Sequence, residues 1–190
     1  MKPCHLTEKQ YHELLRLSGL YRKQSDRCAD SKAYLAACVM IGSALESDLI
    51  AFCHCYSNEI PTDIIPQRKG KPKHLLNWTF FELLRVAKRC AWLPAGLQLE
   101  EDWNQRRAKI GDWAEVVRQI RNLVHPGCYV SDYSRQRVTK TRMELCSDVL
   151  NTAQHHLLQK LHKSLEAAVM KLEKKRKTNV SSTRRGSRGR

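Results

Sequence analysis

Several common catalytic signatures are missing from this chain. It has no phosphate-binding glycine loop, no G-x-S-x-G elbow, no H-E-x-x-H helix and no C-x-x-C pair. The classes that depend on them, from P-loop enzymes to zinc proteases, lose their usual support. Glycine and proline are scarce, at 8 and 6 of 190 residues, which excludes collagen-like and wholly low-complexity chains. Strand signals are sparse too. There is no Asn-Gly or Asp-Gly turn and no sustained alternation of Val, Ile and Thr.

Long apolar runs are also absent. The longest charge-free stretch is Ala33 to Leu45, 13 residues between Lys32 and Glu46, where a bilayer crossing takes about 20. The N-terminal MKPCHLTEKQYHELL has no apolar signal-peptide core. These features predict a cytoplasmic protein with no membrane partner. In that reducing compartment the eight cysteines stay as thiols. Cys38, Cys53, Cys55, Cys90 and Cys146 fall in apolar helical patterns, where a thiol acts as a small hydrophobe.

What the chain has in excess is positive charge. Its 34 Lys+Arg against 19 Asp+Glu give a net +15, which suggests an anionic partner and says nothing about fold. Residues 171–190 carry nine Lys/Arg and one Glu, a net +8, and the remaining residues carry +7. The tail has no apolar periodicity after Leu172. Its Ser/Arg/Gly composition predicts a disordered basic tail over 173–190, beyond a folded domain of residues 1–172.

The periodicity predicts an all-α domain, a four- to five-helix bundle. Thr7 caps a first helix carrying Leu14, Leu15, Leu17 and Leu20. Asp30 or Ser31 caps a second, running to about Tyr56. From Tyr34 and Leu35 onward, its Cys38, Ile41, Leu45, Leu49 and Phe52 follow at steps of three or four. It is apolar over much of its circumference, so it is expected to lie centrally. A loop over residues 57–73 holds a basic run, Arg68, Lys69, Lys71 and Lys73. Asn77 caps a third helix. A fourth carries Val117, Ile120 and Val124 and stops at His125-Pro126-Gly127. Residues 129–140 form a polar connector, and a last helix runs from about Thr141 to Leu172.

Two clusters resemble metal sites and are read otherwise. In Cys53-His54-Cys55, neighbours on a helix do not face one point, and no second ligand pair stands at finger spacing. His155, His156 and His162 decorate the polar side of the last helix. No metal and no cofactor is expected.

The informative segment is Val117 to Gly127, VRQIRNLVHPG. Arg118, Arg121, Asn122 and His125 stand at i, i+3, i+4 and i+7, one stripe of a helix beside the apolar Val117, Ile120 and Val124. Guanidinium, amide and imidazole together can bind a phosphate and move a proton. In the second helix Glu46 interrupts an apolar stretch and needs a partner there. Arg121 or Arg118 is the candidate. The same features also suit a structural ion pair and a plain helix end.

AACVMIGSALESDLIAF, a small-apolar helix with one Glu, and RQIRNLVHPG together resemble the HEPN superfamily, small helical-bundle domains of toxins, phage-defence systems and nucleotidyltransferase partners. The likeness covers roughly residues 30–170 as architecture. It implies a metal-independent endoribonuclease of the Arg–polar–spacer–His type, working as a homodimer with two motifs in one cleft. Trp103 and Trp113 are candidates for that interface or for the core. Arg118 to His125 falls within the family spacing, whereas the Arg-Asn pair characteristic of the family is at Arg121-Asn122, closer to His125. Either Arg118 acts in catalysis, or this is a shortened variant whose Arg121-Asn122 packs structurally. His125 is then the proton-transfer group and Asn122 orients the phosphate or the imidazole. Arg118 or Arg121 stabilises phosphorane charge, and Glu46 holds an arginine. RNA is the expected partner, held in addition by Arg68, Lys69, Lys71 and Lys73 and by Arg184 and Arg185 of the tail. Two alternatives are a non-catalytic helical adaptor for RNA or protein, and an antitoxin-like or nucleotidyltransferase partner.

Overall fold

A computed structural model describes residues 4–93, 110–132 and 138–186, of which 110–113, 115–116, 131–132 and 174–186 are described as backbone only. It is an all-α bundle, with six α-helices among the described residues.

Helix α1 spans Glu8–Asp30 and opens on a reciprocal cap. The Thr7 hydroxyl accepts from the Gln10 N–H, and the Gln10 side chain accepts from the Thr7 N–H. α1 runs to Asp30 itself, so neither Asp30 nor Ser31 caps the next helix, contrary to expectation. Ser31 ends α1, and Lys32 takes a left-handed φ of 59°. The Lys32 and Ala33 N–H groups donate back to the Ala29 and Cys28 carbonyls, which closes a Schellman turn. Helix α2, Tyr34–Cys55, then starts at Ala33 with no side-chain cap. Its buried Cys38, Ile41, Leu45, Leu49 and Cys53 make it the central helix, packed against α1. By length and composition alone α2 is also apolar enough to cross a membrane, and half of that window is buried inside the fold.

The segment after α2 contains a small hairpin that the sequence did not announce. β1 (Gln67–Arg68) pairs antiparallel with β2 (Lys71–Pro72). Lys69 and Gly70, at φ 51° and 72°, form a turn in which both central residues are left-handed. Asn77 does not cap the third helix. It ends a short 3-10 turn, Leu75–Asn77, and Thr79 caps α3, Phe80–Arg89, through a capping box with Glu82. The signal was there as T-x-x-E. Trp92 beyond α3 packs on Phe52 and Tyr56, with ring centroids 5.1 and 6.0 Å away. Trp103 lies outside the described residues, as does the side chain of Trp113.

Helix α4, Ile110–Asn122, packs on α2 and α3. Pro126 does not end the helical structure there. It starts a further helix, α5, Pro126–Asp132, where a residue lacking an N–H and preset in φ is well placed. The connector expected from residue 129 is therefore partly helical. Helix α6, Lys140–Gly186, is tied to α2 by a thiol–thiol hydrogen bond between Cys38 and Cys146 and by a bond from the Gln154 amide to Asp48. α6 continues past Leu172 through the basic segment. Lys and Arg are good helix formers, and no proline or glycine intervenes before Gly186. Residues 1–156 and residues 157–190 form two compact units.

Candidate functional site

The site begins with a glycine. At Gly42 of α2, an added Cβ would stand 2.8 Å from the Arg121 Cβ and 3.0 Å from its Cγ, with Val117 Cγ1 at 3.5 Å. The lack of a side chain lets α4 approach α2 closely enough to lay the Arg121 stem on the α2 backbone. One turn further along α2 stands Glu46. Its carboxylate accepts from Arg121 Nη2 at 2.6 Å, and the two side chains are only 19% and 29% exposed. Arg121 Nη1 also donates to Asn122 Oδ1 at 3.4 Å. The structure thus selects Arg121 over Arg118 as the Glu46 partner and links Glu46, Arg121 and Asn122 in one chain.

Arg118 is half-buried elsewhere on α4, with its guanidinium 5.7 Å from the centroid of the Phe81 ring, a cation–π arrangement. His125 is exposed. It does not sit on the α-helical stripe, because α4 ends at Asn122. Leu123, Val124 and His125 then donate to the carbonyls three residues back. The His125 carbonyl in turn accepts from the Tyr129 N–H, so the residue joins two helices. The imidazole therefore stands exposed at a tight corner, four residues along the chain from the anchored Arg121.

Burial sets the electrostatics of the anchor. Desolvation outweighs the nearby Arg121 guanidinium and holds the Glu46 carboxyl above its ordinary 4.5. In the interval between 4.5 and that raised value, the folded chain holds a proton that the unfolded chain has lost. Stability contributed by Glu46 is therefore largest below the interval and declines as pH rises through it. In denaturant titrations across that interval, the stability of wild type relative to Glu46→Gln should fall as pH rises. A pH-independent difference would show that the carboxyl is not perturbed.

The other expected residues divide. Arg68, Lys69 and Lys71 are exposed on the hairpin. Lys73 is not part of that open set, since its ammonium pairs with Glu82 at 2.5 Å and both side chains are mostly buried. Arg184 lies on the backbone of α6, as does Arg185, but their side chains are outside the described residues. No His/Cys/Asp/Glu group able to hold a metal occurs among the described residues. Cys53 is buried, whereas Cys55 is exposed, contrary to its apolar-pattern assignment. His54 has a structural task, accepting from the Leu6 N–H through Nδ1 at 3.0 Å. The His155 and His156 rings meet edge to face, and His162 contacts Glu166 at 3.2 Å.

Sequence reasoning missed Gly42 and Phe81. The signal for Gly42 was an isolated glycine inside an apolar helical pattern, which often marks close packing. Phe81 gave none, because its partner is distant in the chain. No protein-family model, curated protein or solved structure matches this chain.

Proposed function

We propose that this protein is a HEPN-like, metal-independent endoribonuclease of a toxin or phage-defence system that works as a homodimer. The observation that carries the reading is the Glu46–Arg121–Asn122 chain. It anchors the Arg/His segment to the central helix at 2.6 Å and leaves His125 exposed at the adjoining corner. An anchored arginine four residues before an accessible imidazole suits phosphodiester cleavage. In that reaction the ribose 2′-oxygen attacks phosphorus and the bond to the 5′-oxygen breaks. His125 takes the 2′ proton or supplies one to the leaving oxygen. Arg118 stabilises charge on the phosphorane, and Arg121, paired with Glu46, is its positioning neighbour. The hairpin cations Arg68, Lys69 and Lys71 extend the RNA contact. An antitoxin or nucleotidyltransferase is the protein partner this reading implies.

Purified protein incubated with mixed RNA in EDTA is the test. The expected result is cleavage that leaves 2′,3′-cyclic phosphate and 5′-hydroxyl ends, and none with His125→Ala. Equal cleavage by the variant overturns the assignment.

A specific feature favours a second reading, the non-catalytic adaptor. Leu158, Leu161, Leu165, Val169 and Leu172 recur on one side of α6 and are 39–63% exposed. A stripe of that kind suits an apolar partner helix. Under this reading salt-dependent RNA binding survives replacement of Arg118, Arg121 and His125, and deletion of residues 177–190 weakens it most.

A further inference from the structure

An open groove of about 630 Å³ lies beside the His125 corner. That volume is within the roughly 300–1,000 Å³ range of ligand sites. Lys32 comes from the turn between α1 and α2; Tyr34, Leu35 and Met40 come from the start of α2; Val124 follows α4 and Val138 precedes α6. Val124 is the chain neighbour of His125 and is 58% exposed, too much for a core valine. The lining combines one aromatic ring, a thioether and aliphatic walls, with a single exposed ammonium at Lys32.

These surfaces match one kind of occupant. A planar heteroaromatic ring gains stacking on Tyr34 and dispersion against Leu35, Met40 and Val124, and an attached phosphate gains the Lys32 charge. Few side-chain hydrogen-bonding groups line the groove, so it would take a base without reading its identity. A base inside a duplex has both faces covered by its neighbours, whereas a base in a single strand can be splayed out and stacked on protein. We propose that this groove is the subsite for an unpaired nucleobase of single-stranded RNA, adjoining the phosphate that His125 addresses. The inference rests on the ribonuclease reading above for the identity of the ligand.

Binding of a short single-stranded RNA oligonucleotide, followed by fluorescence anisotropy on His125→Ala protein, tests the subsite apart from catalysis. Adding Tyr34→Ala should weaken binding about 5- to 100-fold, the range for loss of one base–aromatic stack. Tyr34→Phe should retain the affinity, and binding of a blunt duplex should not respond to either. Val124→Trp, at an exposed position, should fill the groove and weaken single-strand binding without lowering the melting temperature. If Tyr34→Ala and Val124→Trp bind as tightly as their parent, the subsite is overturned, even when wild type cleaves RNA. If wild type cleaves nothing yet binds single strands in a Tyr34-dependent way, the ribonuclease reading falls and the subsite stands. A Val124→Trp variant that alters the oligomeric state and leaves RNA affinity unchanged makes the groove a protein interface, and the proposal fails.

Discussion

Gly42→Ala should destabilise the protein, while Gly19→Ala should stabilise it. Both glycines lie inside α-helices, so both substitutions gain the same backbone term, about 0.5–1 kcal/mol. The surroundings differ. A Cβ at Gly19 meets nothing within 4 Å, whereas one at Gly42 meets the Arg121 Cβ at 2.8 Å. That contact involves the root of a side chain, so a rotamer change cannot relieve it, and α4 must move away from α2. Overpacking of this kind costs about 1–3 kcal/mol, which exceeds the propensity gain. Gly42→Val adds further volume and should lose more. Urea denaturation of the two alanine variants is the measurement. A stabilised Gly42→Ala protein would mean that the close approach is absent. Displacement of Arg121 should also carry into function, so Gly42→Ala is expected to lower RNA cleavage even where the protein remains folded.

His125→Ala should reduce RNA cleavage by about 10²- to 10⁴-fold, the usual contribution of a general acid–base, and leave the melting temperature unchanged. The side chain is exposed, and its backbone makes the helix-joining bonds, which alanine retains. Arg121→Met should behave in the opposite way, with stability falling first. It leaves the Glu46 carboxylate partly buried without its guanidinium, a loss of about 3 kcal/mol at the lower end for buried pairs. Combining it with Glu46→Gln should restore much of that loss, because the orphaned charge is gone. A His125→Ala protein that unfolds as readily as Arg121→Met would place His125 in the scaffold and count against a catalytic role.

Much of the fold was legible because its signals are local. The three- and four-residue spacing of Ile41, Leu45 and Leu49 marked α2 as central, and those side chains are fully buried. Thr7 was legible as a cap, since its hydrogen bonds reach only three residues. Boundaries were harder to read. Asp30 has good capping chemistry, yet α1 runs through it and a left-handed Lys32 makes the turn instead. Pro126 read as a terminator because proline cannot continue a helix, but it can begin one.

The site followed the same division. The sequence by itself determined that a carboxylate in an apolar helix needs a cationic partner, and that Arg118, Arg121, Asn122 and His125 lie close together along the chain. Those conclusions depend on desolvation and helical repeat, which a short window contains. Only the tertiary structure decided that Arg121 is the partner, 75 residues from Glu46, and that Gly42 makes room for it. It also decided that Arg118 lies over Phe81 and that His125 turns outward beside a groove. Each of these depends on the distance between two helix axes, and that distance is set by packing across the whole bundle.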